Sequence, residues 1–69
     1  MVSIEQYFGE CAGVIWRALN GKAPQSLSQL SRSTKLSPAR LNAGLGWLAR
    51  EGKLQVDGDA PLRYRFSLK

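Results

Sequence analysis

The stretch SLSQLSRSTKLSPARLNAGLGWLARE, residues 26–51, decides how this chain folds. Ser26-Leu27-Ser28-Gln29 fits the S-x-x-Q capping box, in which the serine caps a helix and the glutamine reaches back to the serine's own amide. Leu27, Leu30 and Ser31 then point inward from a short helix that ends near Thr34. Lys35-Leu36 reads as a tight turn. Ser37-Pro38 restarts the chain with a serine cap and a proline at the first helical position, where proline is best tolerated. The second helix runs to about Glu51, where Gly52 stops it, with Leu41, Leu45 and Leu48 on its inner face. Two short helices joined by three or four residues make a helix-turn-helix.

The flanking sequence completes the picture. Upstream, Ser3 to Asn20 carries Ile4, Phe8, Cys11, Ile15 and Leu19 at helical spacing, with Tyr7, Val14 and Ala18 beside them. Ser3 suits the N-cap, and Asn20-Gly21 suits the stop. Ala23-Pro24-Gln25 is a connector that Pro24 biases toward extended backbone. Downstream the pattern alternates. Leu54 and Val56 share one face of Lys53–Val56. Leu62, Tyr64, Phe66 and Leu68 share one face of a second strand over 62–68, with Arg63, Arg65 and Ser67 on the other. Asp57-Gly58-Asp59-Ala60-Pro61 is the turn between them. Three helices followed by a C-terminal β-hairpin wing, an α+β winged helix-turn-helix, is the expected fold, in one domain spanning residues 1–69.

Composition sets bounds on this domain. Its 69 residues are 43% hydrophobic, enough for a core. A domain this small buries only about 60% of its unfolded surface, so it needs help from a disulfide, a metal or a partner chain. Cys11 is the single cysteine and there is no histidine, which excludes an internal disulfide and a structural zinc site. Self-association remains, and a homodimer is expected. The formal net charge of +5 favours anionic partners, nucleic acid such as duplex DNA first and acidic proteins second. The charge is spread along the chain, so part of it serves solubility. No apolar run reaches the ~20 residues of a membrane span, and MVSIEQYFGE does not read as a signal peptide. A cytoplasmic location is expected.

Two motifs resemble a known family. Gly9-Glu10, Ala12-Gly13, Trp16 and Leu19-Asn20 are similar to its G-E-x-A-G-x-x-W-x-x-L-N pattern, and Leu45 to Lys53 is similar to its L-G-W-L-A-R-E-x-K segment. The family is one of small prokaryotic stand-alone winged helix-turn-helix domains of uncharacterised function. The resemblance covers nearly the whole chain and implies fold, size and a tendency to dimerise. It implies no catalytic residues. Cys11 stands where the family more often has a polar residue, and Gly44 where it more often has alanine, which is expected to loosen the last helix further.

Chemistry-bearing constellations are few. Asp57 and Asp59 share a hairpin turn and read as turn formers. Cys11 lies on an apolar stripe and reads as a buried thiol. Gly44 to Ala49 spells G-x-G-x-x-A, but a dinucleotide site needs a preceding strand and a βαβ unit, and this stretch lies within a helix. No enzyme activity, cofactor, metal or small-molecule ligand is expected.

With Leu41, Leu45 and Leu48 inward at about 100° per residue, the outer face of the last helix is Ala39, Ala43, Gly46 and Arg50, flanked by Asn42, Arg40 and Trp47. Arg40, Asn42 and Arg50 are the side chains there that can read a base or hold a phosphate. Lys53, Arg63 and Arg65 put positive charge on the wing, suited to phosphate or to protection of an exposed strand edge. These six are the candidate DNA contacts of a small transcription regulator. The centre of that face is small and smooth, however. Gly46 and Trp47, with Gly9, Gly13 and Trp16 of the first helix, are candidates for a dimer or partner interface. The competing expectation is a dimerisation or protein-interaction module that does not engage DNA through its last helix.

Overall fold

The computed structural model describes residues 3–69; Met1 and Val2, the start of the stretch read above for a targeting signal, lie outside it. Three helices precede a two-stranded antiparallel sheet, an α+β winged helix-turn-helix: α1 (Ile4–Leu19), α2 (Leu27–Thr34), α3 (Pro38–Arg50), β1 (Leu54–Asp57) and β2 (Arg65–Leu68).

Each helix begins on a serine. The Ser3 hydroxyl accepts from the Gln6 amide at 3.0 Å, and the Ser37 hydroxyl accepts from the Arg40 amide at 3.3 Å. At α2 both halves of the capping box form: Ser26 Oγ accepts from the Gln29 amide at 3.2 Å, and Gln29 Oε1 accepts from the Ser26 amide at 2.8 Å. Each cap satisfies a donor that the first helical turn leaves unpaired. The three residues between α2 and α3 turn on Lys35, whose φ of 59° is left-handed. Its strain, about 1 kcal/mol, is held by the bond from the Lys35 amide to the Ser31 carbonyl at 2.9 Å. Thr34 adds to this, donating to the Leu30 carbonyl at 2.6 Å and accepting from the Leu36 amide at 3.2 Å.

α1 crosses α3 and forms the larger part of the core. Ile15, Leu19 and Leu30 are fully enclosed, surrounded by Ala12, Leu41, Leu45, Leu48 and Phe66. The crossing point is Gly44. A Cβ there would lie 2.8 Å from both the carbonyl carbon and the oxygen of Cys11, and 2.5 Å from Ile15 Cδ1. Gly44 is therefore buried between the helices, where the absence of a side chain lets α1 approach. Ile4 opens the apolar stripe by spacing but is 71% exposed, so the expectation that it belongs to the buried face is corrected.

The sheet pairs Leu54 with Leu68 and Val56 with Phe66. The connector also takes part. Gln25 exchanges two backbone hydrogen bonds with Phe66, 2.9 Å from its amide and 2.7 Å to its carbonyl, on the edge of β2 that β1 leaves free. Gln25 Nε2 donates to the Ala18 carbonyl at 2.9 Å, tying this bridge to the end of α1.

The second strand is shorter than its alternation predicts. Pro61–Arg63 form a 3-10 turn, closed by the Arg63 amide on the Ala60 carbonyl at 2.8 Å. Leu62 is 97% exposed and has no place on the buried face. The ladder ends at Asp57–Arg65, after which Gly58, with φ 124°, leads the chain away. Proline cannot donate to a ladder, so nothing draws 61–63 into the strand.

Candidate nucleic-acid interface

The helix-turn-helix encloses a hollow on its outer side. Ser28, Ser31 and Arg32 of α2 face Pro38 and Asn42 of α3 across it, with Leu27 and Leu41 below. Ser28, Ser31 and Arg32 stand at i, i+3 and i+4 and so share one face of α2. Hydroxyls, a guanidinium and an amide supply the polar lining, and all can donate to phosphate oxygens. Neither α2 nor α3 has an acidic residue in its first turn, so the partial positive charge of both N-termini is left unopposed.

Sequence reasoning passed over Ser28 and Arg32 and turned Ser31 inward with Leu27 and Leu30, whereas Ser31 lines the hollow; a signal for them existed. From Cys11 to Arg50 the chain contains no Asp or Glu, while Arg17, Lys22, Arg32, Lys35, Arg40 and Arg50 all fall there. The charge is segregated and not spread evenly. The acids sit on the outer part of α1 (Glu5, Glu10), after α3 (Glu51) and in the wing (Asp57, Asp59).

The six sequence candidates do not form one patch. Asn42 lines the hollow and is exposed, and Arg50 is exposed at the end of α3. Arg40 lies on the opposite flank, about 200° round the helix from Asn42. There its guanidinium carbon is 5.7 Å from the centre of the Tyr7 ring, a cation–π contact to α1. Lys53 pairs with Glu51 at 3.7 Å. Arg63 belongs to the 3-10 turn, not to the strand face expected for it, and its Nη1 lies 3.3 Å from Asp59 Oδ2. Arg65 is exposed on β2, opposite Asp57 in register. Exposed ion pairs such as these are worth about 0–1 kcal/mol and exchange readily for another anion.

The family described as Winged helix-turn-helix domain (DUF2582) matches residues 3–64. The chain belongs to this family. No curated protein matches it. A winged helix-turn-helix domain suggests a DNA-binding or regulatory role and is typically non-enzymatic. Among the described residues, no helix of this DUF2582 domain is long and apolar enough to cross a membrane.

The partner-interface candidates of this DUF2582 domain are better grouped. Gly9, Gly13, Trp16 and Trp47 line one shallow hollow where α1 meets the end of α3. Trp47 already has an intrachain role: it stacks on Phe8 with ring centres 6.3 Å apart and planes 11° off parallel. Trp16 is 39% exposed. Gly46 is exposed and is not among the residues of that hollow. A Cβ at Gly9 or Gly46 would meet nothing within 4 Å, and at Gly13 only Arg17 Nη1 at 3.8 Å. Unlike Gly44, none of these three is required by packing within the chain.

Proposed function

We propose that this protein is a non-catalytic, duplex-DNA-binding winged-helix domain that acts as a homodimer, a small cytoplasmic transcription regulator. The observation that carries this reading is the acid-free helix-turn-helix, with the donor-lined hollow of Ser28, Ser31, Arg32 and Asn42 on its outer side. In this reading Asn42 and Arg50 face the groove. Arg32, Lys53, Arg63 and Arg65 hold phosphates, the wing residues exchanging their carboxylate partners for the backbone of the duplex. Arg40 stays on Tyr7 and steadies the α1–α3 crossing.

Fluorescence anisotropy with a mixed-sequence duplex tests it. About four phosphate contacts give an affinity that falls about a hundredfold between 50 and 200 mM salt. Arg32→Ala with Arg65→Ala should lower the salt slope by about 2 and weaken all sequences alike. Absence of salt-sensitive binding at 50 mM would exclude the DNA reading. A second reading, a protein-interaction module, is favoured by one observation: Gly9, Gly13 and Gly46 are open positions on helix surfaces, where alanine would be better by about 1 kcal/mol each. Self-association without DNA binding would select it.

A further inference from the structure

We infer that two copies of this chain associate through the outer face of α1, packed antiparallel about a two-fold axis near residue 11. This rests on the homodimer reading above and names its interface. The face turned away from the core carries Glu5, Gly9, Gly13 and Arg17 at successive i+4 positions, one continuous ridge. Glu5, Gln6, Gly9, Gly13 and Arg17 all line a shallow groove along it. The ridge is acidic at its N-terminal end, at Glu5, and basic at its C-terminal end, at Arg17, while Glu10 lies beside its midpoint.

A surface charged in this way complements a second copy of itself only when the two helices run in opposite directions. A two-fold contact is self-complementary by construction. Reversal about residue 11 sets Gly9 of each copy opposite Gly13 of the other. It brings each Arg17 to the acidic end of the facing helix. The small residues fall at the crossing, where the backbones approach most closely. Rows of i+4 residues packed against each other are the commonest helix–helix arrangement, crossing at about 50°.

Three details fit. Among the described residues, neither Glu5 nor Arg17 belongs to an ion pair within its own chain. Glu10 is oriented by Gln6, whose Nε2 donates to Glu10 Oε1 at 3.3 Å. Trp16 borders the same crossing, 39% exposed, and would be covered there. The α2–α3 hollow shares no residue with this face, so the dimer leaves it open on both copies.

Two variants and their mixture provide the test, read by light scattering after size exclusion, with circular dichroism to confirm folding. Arg17→Glu makes the face wholly acidic, and Glu5→Arg with Glu10→Arg makes it wholly basic. Wild type should run at twice its 7.6 kDa mass. Each variant alone should show a dimer dissociation constant raised about thirtyfold, since attraction becomes repulsion at both symmetric ends. The equimolar mixture should recover the dimer. Gly13→Leu fills the crossing without meeting anything in its own chain beyond Arg17, so it should abolish the dimer and keep the helix; it decides the matter even if a charge variant fails to fold. A dimeric wild type whose variants all stay dimeric would overturn this interface and leave the homodimer reading standing. A monomeric wild type would overturn both, and DNA binding is measured independently of either.

Discussion

Gly44→Ala is expected to lower the stability of this domain by about 2 kcal/mol in urea titration, and Gly46→Ala to raise it by up to about 1 kcal/mol. The positions are two residues apart on α3, and helix propensity favours alanine at both by about 1 kcal/mol. The surroundings separate them. At Gly46 the new methyl meets open space, so propensity acts alone. At Gly44 it lands 2.8 Å from the backbone of Cys11. No rotamer change relieves a contact with backbone, so α1 must shift as a body. The Ile15 methyl, 2.5 Å from the same point, belongs to a side chain with no exposure and little room to turn. Overpacking of this kind costs about 1–3 kcal/mol and outweighs the propensity gain. Equal stabilisation at both positions would show that the helices cross with more slack than described.

Leu30→Ala should be more damaging, at about 3 kcal/mol. Leu30 is the one fully enclosed side chain that α2 contributes; Leu27 is only half-buried. A chain of this size has a total stability of roughly 3–10 kcal/mol. Removing the anchor of α2 therefore takes a large share of it, and the thermal midpoint should fall by about 15 °C or more. The α2–α3 hollow depends on that anchor, so the DNA binding proposed for it should fall near the new midpoint. A shift of only a few degrees would mean that the capping box and Leu27 hold α2 without Leu30.

Sequence patterns revealed the elements of this protein far better than the contacts between them. Ser3, Ser26 with Gln29, and Ser37-Pro38 mark helix starts by local hydrogen-bonding chemistry, and each caps its helix as expected. Gly52, with φ 72°, ends α3 for an equally local reason. Alternation over 62–68 misled, because Pro61 and Gly58 impose a turn that the spacing of apolar residues does not register. What packs against Gly44 and Arg40 was illegible for another reason. Whether a glycine admits a neighbouring backbone, or an arginine lies over a ring, depends on how α1 crosses α3, and no periodicity along one helix carries that angle. The α2 side of the hollow was legible in principle, through the absence of acids over residues 11–50, a property of the segment that the net charge conceals.

The bridge between Gln25 and Phe66 bears on timing. It joins residues 41 positions apart, the difference of their numbers, and closing a loop costs more entropy the longer it is. Pairings so distant in sequence form late in folding. β1 and β2 can meet as a hairpin before the bridge closes, and the bridge then adds hydrogen bonds from that hairpin to the end of α1, through Gln25 and Ala18, beside the packing of Phe66 in the core. Native-state hydrogen exchange should show this as weaker protection at the Phe66 amide than at Ile15 in the α1 core. The wing is thus the last part to lock and the first to open, a segment whose brief excursions cost less than unfolding the domain and which can settle onto a surface the helices alone could not match.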